Sequence, residues 1–490
     1  MALSFLEIPQ GLLAPGFFFE YDASRAVQGT PAKKHTSLII SHQSGTGLLT
    51  TDALTLISSV DEARALAGAD SPLARMVKRY KDQDELTELW VLPIAVPSGA
   101  ASTGTYTFTG TATASGEAVI YIGDDRYSTA VAIGDTHINV ANRLSVEISN
   151  DAESLPIAGD VTGVLTITNK LHGVYGNSIR MATNLREGEV LPAGLTLVLS
   201  GTQMASGTAS ADITAGIVSM ADMQFDSIGM MFNDDTNMDL LETLLLSRLN
   251  ALTPLDGQCF IAISDTIGNS ASAGNARNFQ GTSLIATQES PTPEFLTAAE
   301  FAGLDSAANQ RDVARPRNKA PMPGTLAPAI GQRWTYGQRN VALSDGLTTM
   351  FFDSSTGLGR VERLITTYQL NSAGFSDKAY FDITAPRSLA FIRFSSRVRF
   401  GTKYPNHKLA PDDPKPPAGQ PIITPKKARA EFIDLADSWF DLGIITDLEQ
   451  FADELIVELD PNDPDRLNVQ LAPNLINGFH VLAGAFQFIR

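Results

Sequence analysis

The run from Gly359 to Tyr404 decides the fold, and it reads GRVERLITTYQLNSAGFSDKAYFDITAPRSLAFIRFSSRVRFGTKY. Its first part is rich in residues that favour strands, and it ends at Thr366-Thr367-Tyr368 before a Gln-Leu-Asn-Ser-Ala-Gly turn. A helical segment is expected from near Pro386, because proline is tolerated in the first turn of a helix. The stretch therefore predicts a strand, a turn and a helix in succession.

The composition is that of a large acidic chain that can fold. At 490 residues the chain is too long for one hydrophobic core, so about two to four domains are expected. Hydrophobic residues make up 43% and charged residues 18%, which excludes a disordered chain. The net charge is −18, from 36 Lys and Arg against 54 Asp and Glu. Such a chain repels nucleic acid, so DNA wrapping is excluded as its main function.

The single cysteine and the apolar pattern indicate a soluble cytoplasmic protein. Cys259 lies in an apolar run and is expected to be a buried small hydrophobe. One cysteine permits no intrachain disulfide, which fits a reducing compartment. The opening MALSFLEIPQ lacks the features of a signal peptide. No apolar run reaches the length of about 18 residues that a membrane span needs.

Composition shifts along the chain predict a multidomain fold of the α/β and α+β class, with a mixed sheet and extended arms at both ends. Strand, helix and strand follow one another between residues 225 and 264, which favours parallel pairing with a right-handed crossover. Residues 98–210 are rich in Thr, Gly and Ala and alternate with period two, as half-buried strands do. Residues 336–353, 359–368, 466–471 and 480–489 are expected to add strands, and a helix capped by Ser59 is expected to begin at that residue. The predicted parts are an N-terminal arm at 1–25, an α/β domain at 26–96 and 211–358, an inserted mostly-β domain at 97–210, and a C-terminal domain at 359–490.

No catalytic, cofactor or metal site is predicted. The six histidines are scattered without zinc-ligand spacing. The Gly-rich run from Ser44 to Gly47 lacks the lysine of a phosphate-binding loop. The run from Asp460 to Asp465 holds possible cation ligands, but its two prolines indicate an ordinary turn. No nucleophile elbow occurs, although a dispersed catalytic triad stays open.

Charges are unevenly distributed in the last quarter of the chain. From Arg360 to Lys408 there are nine Lys or Arg and three Asp or Glu, whereas from Glu431 to Asp465 there are twelve Asp or Glu and no Lys or Arg. Two interpretations stay open: two solvated faces of one domain, or complementary patches that meet between subunits and set their register. The candidate charges are Arg393, Arg397 and Arg399 on one side, and Asp447, Glu449, Asp453 and Glu454 on the other.

Both ends of the chain hold candidate strands for contact with another copy. The first stretch of about 20 residues reaches at most about 65–70 Å, which is further than a domain is wide. An apolar strand at the end of such a reach is suited to extending another chain's sheet. The alternative, pairing within the same subunit, stays open. The candidates are Pro15, Gly16, Phe17, Phe18, Phe19, Leu467, Val469, Leu471, Phe486 and Phe488.

Three stretches, in this order, resemble the sheath proteins of contractile tails, especially those of Mu-like phages. The first is Ile8-Pro9…Pro15-Gly16-Phe17…Glu20, and the second is the Gly-x-x-Gly-Asn turn from Gly173 to Asn177. The third and most specific covers nearly all of residues 325–490, with the run quoted above. The inserted β domain is also similar to that of Mu-type sheath subunits.

The resemblance implies a structural, non-enzymatic subunit that polymerises as stacked hexameric rings around the tail tube. Such a sheath contracts to drive the tube through the host envelope during genome ejection, and its terminal arms link neighbours by strand exchange. The implied partners are further copies of the chain, the tube protein, and baseplate and tail terminator proteins, with no direct nucleic acid and no membrane insertion. No cofactor is implied. The implied location is the virion, after assembly in the host cytoplasm.

Other functions stay open from the sequence. The same lattice serves tailocins and other contractile injection systems. A cytoplasmic enzyme of unknown chemistry would need a polar pocket and would remain a discrete oligomer. A surface adhesin would need an export signal.

Overall fold

A computed structural model describes residues 33–414 and 420–489, together with Gly16. Most of the predicted N-terminal arm therefore lies outside the described residues, including Pro15, Phe17, Phe18 and Phe19. In chain order the strands are β1 Thr36–Ser41, β2 Thr55–Ile57, β3 Glu88–Pro93, β4 Ala101–Gly110, β5 Gly116–Ile122, β6 Asp125–Val131, β7 Pro156–Val161, β8 Val164–His172, β9 Met181–Thr183, β10 Leu195–Leu199, β11 Ser227–Met230, β12 Gln258–Ile263, β13 Thr282–Ala286, β14 Pro321–Met322, β15 Leu347–Phe352, β16 Gly359–Arg363, β17 Lys408–Leu409, β18 Ile422–Ile423, β19 Ile445–Thr446, β20 Ile456–Leu459, β21 Leu467–Gln470 and β22 Asn474–Leu475.

The helices lie between these strands in an order typical of α/β proteins in the first two thirds of the chain. In chain order they are α1 Val60–Ala67, α2 Pro72–Lys81, α3 His137–Asn150, α4 Thr214–Ser219, α5 Asp235–Arg248, α6 Ile267–Asn275, α7 Glu294–Arg311, α8 Tyr336–Ser344, α9 Thr384–Lys403, α10 Pro425–Asp441 and α11 Leu448–Glu454.

A nine-stranded mixed sheet forms the centre of the molecule, in the order β14-β16-β15-β13-β12-β11-β1-β3-β2. The strands from β15 to β3 in this order are all parallel, and the strands at both edges are antiparallel. Every residue of β1, β11 and β13 is buried, as expected for parallel strands that helices cover on both faces. The mixed α/β class that the sequence predicted is confirmed.

The strands between β3 and α4 form two smaller sheets. One is antiparallel in the order β10-β4-β8-β7, and the other has the order β6-β5-β9. Burial alternates along β4 and β8, with Tyr106 and Ile167 facing inwards, which is the period-two pattern of a half-buried strand. Helix α3 packs on these sheets through Val140, Leu144 and Ile148.

A second hydrophobic cluster lies under the last three helices. Trp439 and Phe451 are buried with their rings edge to face at 6.0 Å. The indole N–H of Trp439 donates to Ser395 Oγ at 2.9 Å, so α10 is fixed to α9 by a satisfied polar contact inside this cluster. Two two-stranded sheets border it, β19-β22 and β20-β21, and a third, β17-β18, lies in the same third of the chain.

Two strand predictions were wrong. Residues 336–353 hold the helix α8 before β15, because Thr335 and Gln338 form a reciprocal capping box that the strand prediction overlooked. Residues 480–489 form no strand in the described chain, since their backbone has no ladder partner there. By contrast, the expected strand at 466–471 is present as β21.

Candidate assembly surfaces

The segment from Ile476 to Ile489, called here the tail segment, is rich in apolar residues and forms no helix or strand. The side chains of Phe486 and Phe488 are 101% and 88% exposed. Val481 and Leu482 are exposed as well. Leaving an aromatic side chain in water forgoes roughly 1.5–3 kcal/mol of burial free energy, so a contiguous apolar segment of this kind indicates a contact surface.

Polar contacts of His480 hold the tail segment to the rest of the described chain, and the part around His480 is called here the root of the tail segment. His480 Nε2 lies 3.2 Å from Asp382 Oδ2, and the Asn318 amide lies 2.8 Å from His480 Nδ1. Burial acts to raise the pKa of Asp382, but hydrogen bonds from His480 and Thr384 outweigh it and lower that pKa to about 2. Asp382 is therefore an anion at neutral pH, and the tail segment is fixed at His480 and exposed beyond it.

The hairpin β20-β21 has no third strand among the described residues. Its register pairs Val457 with Val469 and Leu459 with Leu467. The connecting turn is held by Asp460, whose Oδ1 accepts from the backbone of Asn462 at 2.8 Å. A lone hairpin is marginally stable in water, and each open edge offers unpaired backbone groups.

The three candidate residues of the second strand differ in their surroundings. Val469 is exposed, Leu467 is half-buried, and Leu471 lies against the cluster around Trp439. The structure thus places Leu467 and Val469 at the open hairpin. It does not bring Phe486 or Phe488 to this hairpin in the same chain.

The candidate arginines of α9 differ in their contacts. Arg393 pairs with Asp256 and donates to the Leu249 carbonyl at 3.0 Å. Arg399 pairs with Asp434 at 2.5 Å and also reaches Glu431. Arg397 is exposed. Because two of the three already have carboxylate partners in their own chain, a role between subunits stays a prediction for all three.

The candidate carboxylates around α11 are exposed, and no ion pair to them occurs in residues 33–414 and 420–489. Asp447 caps the helix by accepting from the Gln450 amide at 2.9 Å, and Glu454 accepts from the Gln450 side chain. The four residues form what is called here the acidic surface: Asp447, Glu449, Asp453 and Glu454.

A clasp of buried charges that the sequence did not reveal joins α2 to the turn between β5 and β6. Arg75 contacts Asp124 at 2.8 Å and Asp125 at 2.6 Å, and Arg79 also pairs with Asp124. Burial raises the pKa of Asp125 to about 6 although Arg75 lowers it, whereas the two arginines outweigh burial at Asp124 and lower its pKa. Arginines at i, i+4 on a helix gave no sign of their distant partners.

A cavity of about 560 Å³ lies at the carboxyl ends of β1 and β11, where the strand order of the parallel sheet reverses. Open α/β sheets often hold ligands at this point. Here Tyr175, from the loop after β8, reaches over it and packs edge to face on His42 at 5.6 Å. Burial lowers the pKa of His42 to about 4, and Glu294 has both carboxylate oxygens bonded, to Asn233 and to the Ser264 amide. The described residues here form no nucleophile–base pair.

Two further properties concern the described part of the chain alone. Residues 33–414 and 420–489 contain no group of three or more His, Cys, Asp or Glu side chains arranged to hold a metal ion. In the same residues, no helix combines the length and the apolar character of a membrane span.

Comparison with known proteins identifies the class. Residues 207–367 match the family described as phage tail sheath protein central domain, and residues 376–489 match the phage tail sheath C-terminal domain. The Mu-like prophage FluMu tail sheath protein of Haemophilus influenzae is 34% identical over 491 residues, covering all of both chains. The chain belongs to the phage tail sheath protein family, and within it to the Mu-like sheath proteins. It is a structural subunit of a contractile tail sheath and a component of the virion.

Two of the similar solved structures are also sheath proteins. The anti-feeding prophage helical sheath in the contracted state has a TM-score of 0.50 at 11% identity, covering 97% of this chain and 99% of that one. The sheath tail protein from Desulfitobacterium hafniense has a TM-score of 0.49 at 13% identity, covering 94% of this chain and 100% of that one.

Proposed function

We propose that this subunit polymerises as stacked hexameric rings around the tail tube and contracts to drive the tube through the host envelope during genome ejection. The observation that carries the proposal is the exposed apolar tail segment in a chain whose hairpin β20-β21 has open edges. In the isolated subunit the tail segment has no strand to pair with, and the hairpin has an edge with no neighbouring strand. The tail segment of one copy can therefore pair with the hairpin of another.

Strand exchange between copies is the contact that joins them. The tail segment of one subunit adds to an open edge of β20-β21 in its neighbour, where backbone hydrogen bonds give affinity and alternate side chains give register. Phe486 and Phe488 stand two residues apart, so they face the same side of an added strand and cover apolar surface there. The segment 15–19 is proposed to act in the same way from the other end of the chain.

The proposed domains of the chain have different roles in the sheath. We propose an N-terminal arm at 1–25, an α/β domain at 26–96 and 211–358, an inserted β domain at 97–210, and a C-terminal domain at 359–490. The α/β and C-terminal domains face the tube, and the inserted domain lies outward. The extended lattice stores the free energy of contraction, and better contacts between subunits release it. Baseplate and tail terminator proteins are further partners of the lattice. The lattice assembles in the host cytoplasm.

Electron microscopy of purified protein at high concentration tests this function. We expect hollow tubes from the wild type, and discrete small species from a chain that lacks residues 481–489. The double variant Phe486→Ser/Phe488→Ser is expected to lose tubes as well. Ile133→Ser is the matched control, since Ile133 is 72% exposed between β6 and α3, outside the surfaces proposed to join subunits. Tubes from the truncated chain would remove the tail segment as a linker, and small oligomers from the wild type under all conditions would contradict the function.

A further inference from the structure

We infer that the acidic surface around α11 in one subunit contacts a basic surface in the neighbouring subunit that donates its tail segment. This inference rests on the proposed function, and it names the charged contact that accompanies strand exchange. The basic surface consists of Arg315, Lys319 and Lys378. The partner is a second copy of this chain.

The three cations of the basic surface are exposed around the root of the tail segment. Pro316 lies so close to Gly478 that an added Cβ there would stand 2.7 Å from the proline ring, which places Arg315 beside this contact. Lys319 follows Asn318, which bonds His480. Lys378 borders the cavity that Asp382 and His480 also line.

Among the described residues, none of these three cations takes part in an ion pair, whereas the nearby carboxylates are engaged. Asp382 pairs with Arg363 at 3.1 Å and with His480. Asp377 accepts from the Tyr368 hydroxyl at 2.7 Å. The basic surface therefore keeps an uncompensated positive charge in a chain whose net charge is −18.

The backbone holds Lys319 in an unusual position. Its φ angle is 59°, in the left-handed region, and its N–H donates to the Val361 carbonyl at 2.7 Å. A residue other than glycine in this region is strained, and such strain is found at functional positions. The fixed backbone projects the lysine from a defined point beside the tail root.

The acidic surface is equally uncompensated. Glu449 and Asp453 stand at i, i+4 on α11 and repel each other mildly while no cation lies between them. The nearby Arg429 forms no ion pair with either carboxylate among the described residues, and its guanidinium donates instead to the carbonyls of Ala452 and Leu455. A cation from another subunit would remove the repulsion and add attraction.

Chain connectivity brings the two surfaces together. Helix α11 ends at Glu454 and β20 begins at Ile456, so the acidic surface adjoins the hairpin that receives a tail segment. In the donor, residues 481–489 span about 30 Å as a strand, which limits how far the basic surface stands from that hairpin. The subunit that accepts the tail segment therefore presents its acidic surface to the donor's basic surface.

Each exposed ion pair adds little to affinity, so the contact orients the subunits more than it holds them together. Two charge-reversed chains test it. The first carries Glu449→Lys and Asp453→Lys, and the second carries Lys319→Glu and Lys378→Glu. We expect each alone to need at least about tenfold more protein for polymerisation, since loss of a few weak pairs amounts to a factor of this size. An equimolar mixture should polymerise like the wild type, because every contact between unlike chains regains opposite charges.

Sedimentation and electron microscopy measure the outcome, and thermal unfolding checks that each chain folds. The control is Glu85→Lys/Glu187→Lys, which changes two exposed carboxylates elsewhere and should polymerise normally. Normal tubes from both reversed chains, while the chain without 481–489 forms none, would overturn this contact and leave the proposed function intact. If neither charge-reversed chain polymerises alone and their equimolar mixture does not polymerise either, the pairing of the acidic surface with the basic surface is wrong. A wild type that never polymerises would overturn both.

Discussion

Asp305 shows how single residues fix the orientation of α9. Its carboxylate is fully buried and pairs with Arg387 of α9 and, at 3.1 Å, with Arg317. Ser227 and Asn309 complete its hydrogen bonds. Burial acts to raise the pKa of Asp305, and the two arginines outweigh burial and lower it, so the group stays charged. The network joins α7, β11 and α9.

Removal of this carboxylate is expected to destabilise the subunit strongly. Asp305→Ala leaves two buried guanidinium groups without an anion, and loss of one partner from a buried ion pair costs roughly 3–5 kcal/mol. Urea denaturation followed by circular dichroism measures the change. The control is Glu153→Ala, which breaks a half-exposed pair with Arg64 and should cost under about 1 kcal/mol. Equal effects of the two variants would contradict a structural role for the buried network.

Helix α8 forms where the residue pattern favours a strand, and its N-terminal cap explains the difference. Thr335 accepts from the Gln338 amide, while the Gln338 side chain accepts from the Thr335 amide at 2.8 Å. This local signal was present in the sequence, but the strand-forming residues that follow in β15 dominated the prediction. The long helix α9, the hairpin strand β21 and the capped helix α1 were predicted because their local preferences agree with their surroundings.

The cap of α8 gives a prediction at this scale. Thr335→Ala removes the side-chain acceptor and is expected to lower the unfolding free energy by about 1 kcal/mol. Thr335→Ser keeps the hydroxyl and should stay within a few tenths of a kcal/mol of the wild type. Chemical denaturation of the three proteins measures this order. A serine variant as unstable as the alanine variant would assign the loss to the methyl group of threonine.

Salt should act on assembly of the subunits in two opposite directions. Copies with a net charge of −18 repel each other at low ionic strength, where the Debye length is about 30 Å at 0.01 M. Near 1 M it falls to about 3 Å, which also screens specific ion pairs. We expect the polymerised fraction to peak between these limits when light scattering is followed across a salt series. A steady rise to 1 M would indicate that apolar strand exchange alone governs assembly.

The sequence does not show which residues far apart along the chain form ion pairs with each other. Charge counts placed basic and acidic stretches in the last quarter of the chain, but only the fold shows that Arg393 and Arg399 are neutralised internally. Likewise, Asp124 and Arg75 lie far apart along the chain and meet only because the strands after β3 fold back on α2. Local pattern determines elements, whereas three-dimensional packing determines which charges remain available.

The contact at His480 also determines where mechanical tension enters the subunit. A neighbour that pulls on the tail segment applies its force at the imidazole, and Asp382 and Asn318 receive it. Asp382 lies two residues before α9, and Arg387 on that helix is bound to Asp305 of α7. The force on the tail segment is thus transmitted to α9 and α7, helices of 20 and 18 residues, before it can break the hydrogen bonds of a strand. The subunit would therefore transmit traction between neighbours as a stiff link.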